Sequence, residues 1–195
     1  VTRVGPSTGL PTRTQQGDIS MLYEASHGDT QHIVLIPGNV DECFEFGWKA
    51  FDYAEKYQTM VFGFTDLDLG MNLWVSKGFD YPDESLNRGK VLKTKEDIEK
   101  IENYGRYRDV DGDGITYRTL PGSGLEPIVS RGTGRDEDGV YSEKSDIYRS
   151  NMERLRRKIE GSRTDLPQPV LREEKEKELG IIYYGSMENT IQEID

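Results

Sequence analysis

The clearest hydrophobic signal is the run His32-Ile-Val-Leu-Ile-Pro37, continuous and β-branched, which predicts a strand covered on both faces. Pro37-Gly38-Asn39 closes it. Asn39 then stands as a helix N-cap with Glu42 three residues on, at capping-box spacing. Val40, Cys43, Phe44, Gly47, Phe51 and Ala54 follow at helical intervals and give one apolar stripe. Met60-Val-Phe-Gly-Phe64 predicts a second strand. Strand, helix and strand in close succession form a βαβ unit, so the expected fold is α/β on a parallel sheet.

Around this unit the pattern is weaker. Residues 1–18 are rich in Gly, Pro, Ser and Thr and read as a loop, and Ile19–Ala25 as a short helix. Residues 66–93 read as an extended excursion. Thr94 caps a predicted helix over Lys95–Tyr104, and the glycine-rich stretch 105–141 reads as a long arm. Ser142–Glu160 predicts an amphipathic helix with Tyr148, Met152, Leu155 and Ile159 on one side, ended by Gly161. Residues 163–178 hold prolines and a charge run, as a linker would. Gly180–Ser186 reads as a strand and Met187–Ile194 as a helix start, the opening of a second α/β domain.

Composition narrows the setting. Hydrophobic residues make up 34% and charged residues 31%, so much of the 195-residue chain should be loop, solvated helix or surface covered by something else. A net charge of -11 argues against nucleic acid or an anionic membrane as partner. The single cysteine, Cys43, permits no internal disulfide and suits a reducing cytoplasm. No apolar run reaches transmembrane length, and the start at Val1 suggests a truncated or processed piece.

Candidate chemistry is sparse. In the opening loop, Gly5, Gly9 and Gly17 allow close backbone approach, Ser7, Thr8, Thr12 and Thr14 offer hydroxyls, and Arg3 adds a guanidinium fork suited to a carboxylate. The loop could therefore cradle a small anion or be a structural turn. Asp109-x-Asp-x-Asp-Gly114 is similar to the start of an EF-hand loop, but its twelfth position is Leu120. His27 and His32 have no metal or catalytic spacing. Cys43, on the apolar stripe of its helix, is expected in the core, and Trp48 and Trp74 are expected to serve packing or a subunit interface. The Arg154–Lys158 cluster reads as a solvated helix face.

The order of motifs resembles one family closely. Gly5-Pro-Ser-Thr-Gly-Leu-Pro-Thr12 with Gln16-Gly-Asp18, then Pro37-Gly-x-Val40-x-Glu42-Cys-Phe44 and Asp66-Leu-x-Leu-Gly70, resembles the alpha subunits of 2-oxoacid:ferredoxin oxidoreductases. Arg88-Gly-Lys-Val-Leu92, Asp109–Ile115, Tyr117–Gly122 and Asn151-Met-x-Arg-Leu155 continue the likeness, which is strongest to the 2-oxoglutarate type.

The resemblance implies a portion of a three-layer pyrimidine-binding domain over residues 1–66. It implies an irregular arm over 67–162, a linker over 163–178, and the start of a transketolase C-terminal-like domain over 179–195. It also implies thiamine diphosphate and magnesium shared with a beta subunit, an iron–sulfur cluster in that partner, coenzyme A as acyl acceptor, ferredoxin as electron acceptor, and an oligomer. Arg3, with Ser7 and Thr8 beside it, falls where the family binds the substrate carboxylate. The family's Tyr-Pro-Ile-Thr-Pro segment and its cofactor-activating glutamate lie upstream of this loop and are lacking here. No catalytic residue is therefore expected within the chain, and the piece should be inactive alone. Two other readings are a non-catalytic module that docks subunits and a calcium module at residues 109–114.

Overall fold

In the computed structural model of the chain, residues 15–125, 132–172 and 178–193 are described. The βαβ unit forms where the hydrophobic pattern places it. Strand β1 (Ile33–Leu35) pairs in parallel with β2 (Val61–Gly63), Ile33 opposite Val61 and Leu35 opposite Gly63. Helix α2 (Val40–Tyr57) makes the crossover. It starts on Asn39, whose side chain accepts from the Glu42 amide at 2.9 Å. Glu42 reaches back one residue further than a capping box requires and accepts from the Gly38 amide at 2.7 Å. Both contacts satisfy amide groups near the helix start, and the second puts the Glu42 carboxylate at the positive end of its dipole.

The buried core consists of Ile33 and Leu35 from β1, Tyr57 from α2 and Ile115 from the distant arm, flanked by Phe46, Ala50, Tyr53, Val61 and Leu166. Helix α5 (Ser145–Ser162) closes this side by packing on α2. The two helices are tied beyond the end of α5. The Tyr57 hydroxyl donates to Asp165 Oδ2 at 2.6 Å, and Lys56 pairs with the same oxygen. Burial and that hydrogen bond push the Tyr57 hydroxyl well above its ordinary pKa. Hydrogen bonds from Lys56 and Tyr57 hold the Asp165 carboxyl below its own.

The arm is more ordered than its glycine content suggests. A second small parallel sheet pairs β3 (Val91–Leu92) with β4 (Arg118–Thr119). Short helices α1 (Gly17–Tyr23), α3 (Leu67–Met71), α4 (Lys95–Glu99) and α6 (Met187–Gln192) complete the described elements. Thr94 caps α4 with a full capping box.

Four expectations need correction. The helix predicted over Lys95–Tyr104 stops at Glu99, before Asn103 takes a left-handed φ of 53°. Gly161 does not end α5, which runs to Ser162. Residues 180–184 form no strand and pair with none among the described residues, and Ile182 is fully exposed. Cys43 is half-buried rather than core.

Candidate functional site

Open parallel sheets gather ligands at the carboxyl ends of their strands. Here that edge carries Gly38 and Asn39 after β1 and Asp66 after β2. Asp66 works as a junction. Its Oδ1 accepts from the Leu69 amide at 2.7 Å, capping α3, and its Oδ2 accepts from the Ser186 amide at 2.6 Å. The segment 184–188 therefore straps across the strand ends. Gly185 has φ 65°, and a Cβ there would fall 2.2 Å from Asp66 Oδ2. A Cβ on Gly38 would fall as close to the Glu188 carboxylate. Tyr184 stacks tilted on Phe64, its hydroxyl buried with no partner among the described residues. Cys43 faces the same acidic corner. Burial, then the Glu42 and Asp66 charges, raise its thiol pKa, so it is not an activated nucleophile.

The opening loop is the residue set most favoured by the sequence, and Arg3, Ser7 and Thr8 lie outside the described residues. At the described strand edge the Gly38 amide is already taken by Glu42. No group of three or more His, Cys, Asp or Glu side chains among the described residues could hold a metal ion. These residues thus do not fit a diphosphate with its magnesium.

The Asp109–Gly114 loop is built as a turn filled by basic side chains. Lys90 Nζ donates to Asp111 Oδ2 at 2.6 Å, to Asp113 Oδ1 at 2.8 Å and to the Ile115 carbonyl at 3.0 Å. Asp109 accepts from the Gly114 amide at 3.0 Å and from Arg157 at 2.9 Å. A lysine ammonium stands where a calcium ion would need the carboxylates.

The Arg154–Lys158 stretch is solvated as expected at Arg156 and Arg157 but not at Arg154 and Lys158. Lys158 is only 6% exposed, because the 105–116 loop folds over this face of α5. Its Nζ donates to the Gln58 carbonyl at 3.2 Å. Burial, with Arg154 and Arg106 nearby, lowers its pKa to about 8. Arg154 donates to the Gly114 carbonyl at 3.1 Å, and burial lowers its guanidinium pKa as well. Gly114 makes this approach possible: at φ 81°, a Cβ there would stand 2.5 Å from the Arg154 carbonyl. A cavity of about 700 Å³ lies between α5 and residues 24–32. His32 lines it, 6% exposed, with Nδ1 buried and unpartnered among the described residues. His27 is exposed. Trp74 donates to the Asp68 carbonyl at 3.1 Å, and Trp48 is half-buried with Lys49 over its ring.

Comparison with known proteins connects these parts. Residues 1–75 match the family described as "Pyruvate flavodoxin/ferredoxin oxidoreductase, thiamine diP-bdg". The chain is 35% identical over 198 aligned residues to 2-oxoacid:ferredoxin oxidoreductase 2, subunit alpha, of Aeropyrum pernix, covering 98% of this chain and 29% of that subunit. It is 46% identical over 70 residues to a 2-oxoglutarate synthase subunit of Methanocaldococcus jannaschii, covering 36% of this chain and 19% of that one. The structure superposes with a TM-score of 0.77 and 26% identity on 2-oxoglutarate:ferredoxin oxidoreductase from Magnetococcus marinus, solved with 2-oxoglutarate, coenzyme A and succinyl-CoA bound. That match covers 99% of this chain and 33% of the solved one. The chain thus spans about a third or less of the length of each of these relatives.

Proposed function

We propose that the chain is part of an alpha subunit of a 2-oxoacid:ferredoxin oxidoreductase, and that it supplies one wall of a site for oxidative decarboxylation of a 2-oxoacid. The observation that carries this reading is the likeness to the Aeropyrum subunit along 98% of the chain. In the proposed reaction the 2-oxoacid loses carbon dioxide, the acyl group passes to coenzyme A and two electrons pass to ferredoxin. Arg3 binds the substrate carboxylate through paired charge-assisted hydrogen bonds, and Ser7 and Thr8 line the same loop. The reacting groups come from elsewhere. Thiamine diphosphate, magnesium and the iron–sulfur cluster are assigned to a site shared with, or lying in, a beta subunit. The residues of the arm and of the 184–188 strap position the wall and take no part in bond making.

The substrate we assign is 2-oxoglutarate. Its support is the 2-oxoglutarate synthase relative and the Magnetococcus enzyme among the matches. No helix among the described residues is long and apolar enough to cross a membrane. On the ground of the single cysteine, we place the complex in a reducing cytoplasm. The test is co-expression of the full-length subunit with a beta subunit, followed by viologen reduction that depends on 2-oxoacid and coenzyme A. Turnover with 2-oxoglutarate exceeding that with pyruvate is the expected result. Absence of any 2-oxoacid-dependent reduction, in a complex that assembles with its cofactors, would overturn the assignment.

A further inference from the structure

Between α5 and the loop that folds over it lies a cavity of about 190 Å³. Three cations line it, Arg106, Arg154 and Lys158, and no carboxylate lines it among the described residues. In a chain of net charge -11 this concentration of buried positive charge is unexpected.

The existing contacts pair none of the three head groups directly with a carboxylate, although Asp109 acts on Arg154 through space and the Tyr107 ring lies under Arg106. Arg106 donates to Thr116 Oγ1 at 2.8 Å and to Gln58 Oε1 at 3.3 Å. Arg154 Nη1 and Lys158 Nζ each donate to a backbone carbonyl. All these acceptors are uncharged. Arg154 Nε is buried and donates to nothing among the described residues. The nearby acids are committed elsewhere, Asp109 to Arg157 and to the Gly114 amide, Asp111 and Asp113 to Lys90. Cations removed from water without a counter-charge are costly, and truly buried charges are paired.

We propose that this cavity is an oxyanion site whose ligand is a phosphate-type group, held by Arg106, Arg154 and Lys158. Two guanidinium forks and an ammonium converge from a loop and a helix, which suits a tetrahedral, multiply charged anion better than a planar carboxylate. The cavity accepts one such group and is open to solvent, so the group is either free phosphate or the phosphate end of a larger molecule. The proposal is independent of the assigned reaction, because it rests on α5 and the 105–116 loop alone.

Isothermal titration of the full-length subunit with inorganic phosphate, glycerol 3-phosphate and succinate tests it, each at matched ionic strength to remove general salt effects. Saturable phosphate binding is expected, with a dissociation constant of about 1 mM or below. Lys158→Met and Arg106→Gln should each weaken it at least about tenfold, the scale expected for losing one partner of a buried charge pair. Tighter binding of glycerol 3-phosphate than of phosphate identifies an esterified ligand, and weaker binding identifies the free ion. Lys158→Met removes a buried charge, so it should fold even if Arg106→Gln does not, and far-ultraviolet dichroism checks this. No saturable heat at about 10 mM phosphate, equal binding of succinate, or binding unchanged in Lys158→Met would each overturn the proposal. None of these readouts depends on oxidoreductase activity.

Discussion

Lys158 gives the chain a specific pH dependence. Its folded pKa is about 8, against an ordinary value of 10.5. Between those values the unfolded chain binds the extra proton, so stability must rise with pH. The groups around Lys158 are Arg154, Glu153 and Arg156 on its own helix, Arg106 and Tyr107 from the loop, and Tyr57 from α2. Glu24, Asp29 and His32 lie on the side of the larger cavity. Tyr57 acts in the opposite sense. Its folded pKa is raised, so its contribution is present below pH 10 and is lost as pH climbs further. The usable window is therefore about pH 8 to 10, over which phosphate-free protein should gain roughly 1–3 kcal/mol in urea titrations. Lys158→Met should flatten this rise and stabilise the protein at pH 7 by a similar amount. A flat profile for the unaltered chain would show that Lys158 stays charged when folded. The burial itself was not legible in the sequence. Arg154, Arg156, Arg157 and Lys158 look alike in a one-dimensional pattern. What separates them is a loop some forty residues upstream that covers Arg154 and Lys158 and leaves Arg156 and Arg157 exposed.

At the scale of elements, legibility followed locality. The βαβ unit could be read because each part carries its own signal: β-branched runs for β1 and β2, and an N-cap with a periodic stripe for α2. Replacing Asn39 by Ala removes the acceptor for the Glu42 amide and should cost about 1 kcal/mol, measured by chemical denaturation. Asn39→Asp should cost far less, since the carboxylate accepts the same bond and favours the helix dipole. Equal losses in both variants would remove the cap from the account of α2. Segment 180–186 failed for the converse reason. Its apolar residues have the composition of a strand, but a strand needs a neighbour to pair with, and composition cannot supply one. Gly114 belongs to the same class of feature. Its role, letting the arm approach α5, depends on a contact with Arg154 distant in sequence. Gly114→Ala sets a Cβ against backbone at a left-handed φ and should destabilise by about 2 kcal/mol or more. It should also widen the cation cavity, so its phosphate affinity should fall with its stability.

On the scale of the whole molecule, the described surface is not that of a self-sufficient domain. Leu73 and Val75 are fully exposed, Met71 is largely so, Phe79 and Tyr81 pack on Phe44 with much of their rings still exposed, and Ile181 and Ile182 project from the other end of the chain. Apolar surface of this extent marks contact with further protein, which agrees with a chain spanning about a third of its relatives. The proposed activity must accordingly be tested in the assembled enzyme, where Arg3 can be judged by kinetics. If Arg3 binds the substrate carboxylate, Arg3→Ala should lower kcat/KM for the 2-oxoacid by the equivalent of roughly 2–5 kcal/mol, a loss of about thirtyfold or more. Arg3→Lys should recover only part of it, because an ammonium cannot reproduce the two parallel bonds of a guanidinium. Saturation by coenzyme A should be unaffected, since that ligand does not carry the carboxylate in question. An Arg3→Ala enzyme with unchanged kcat/KM would take the loop out of the substrate site while leaving the likeness to the alpha subunits intact. A loss confined to the KM for coenzyme A would reassign the loop to the acyl acceptor. Only a loss specific to the 2-oxoacid supports Arg3 as the residue that holds the substrate for decarboxylation.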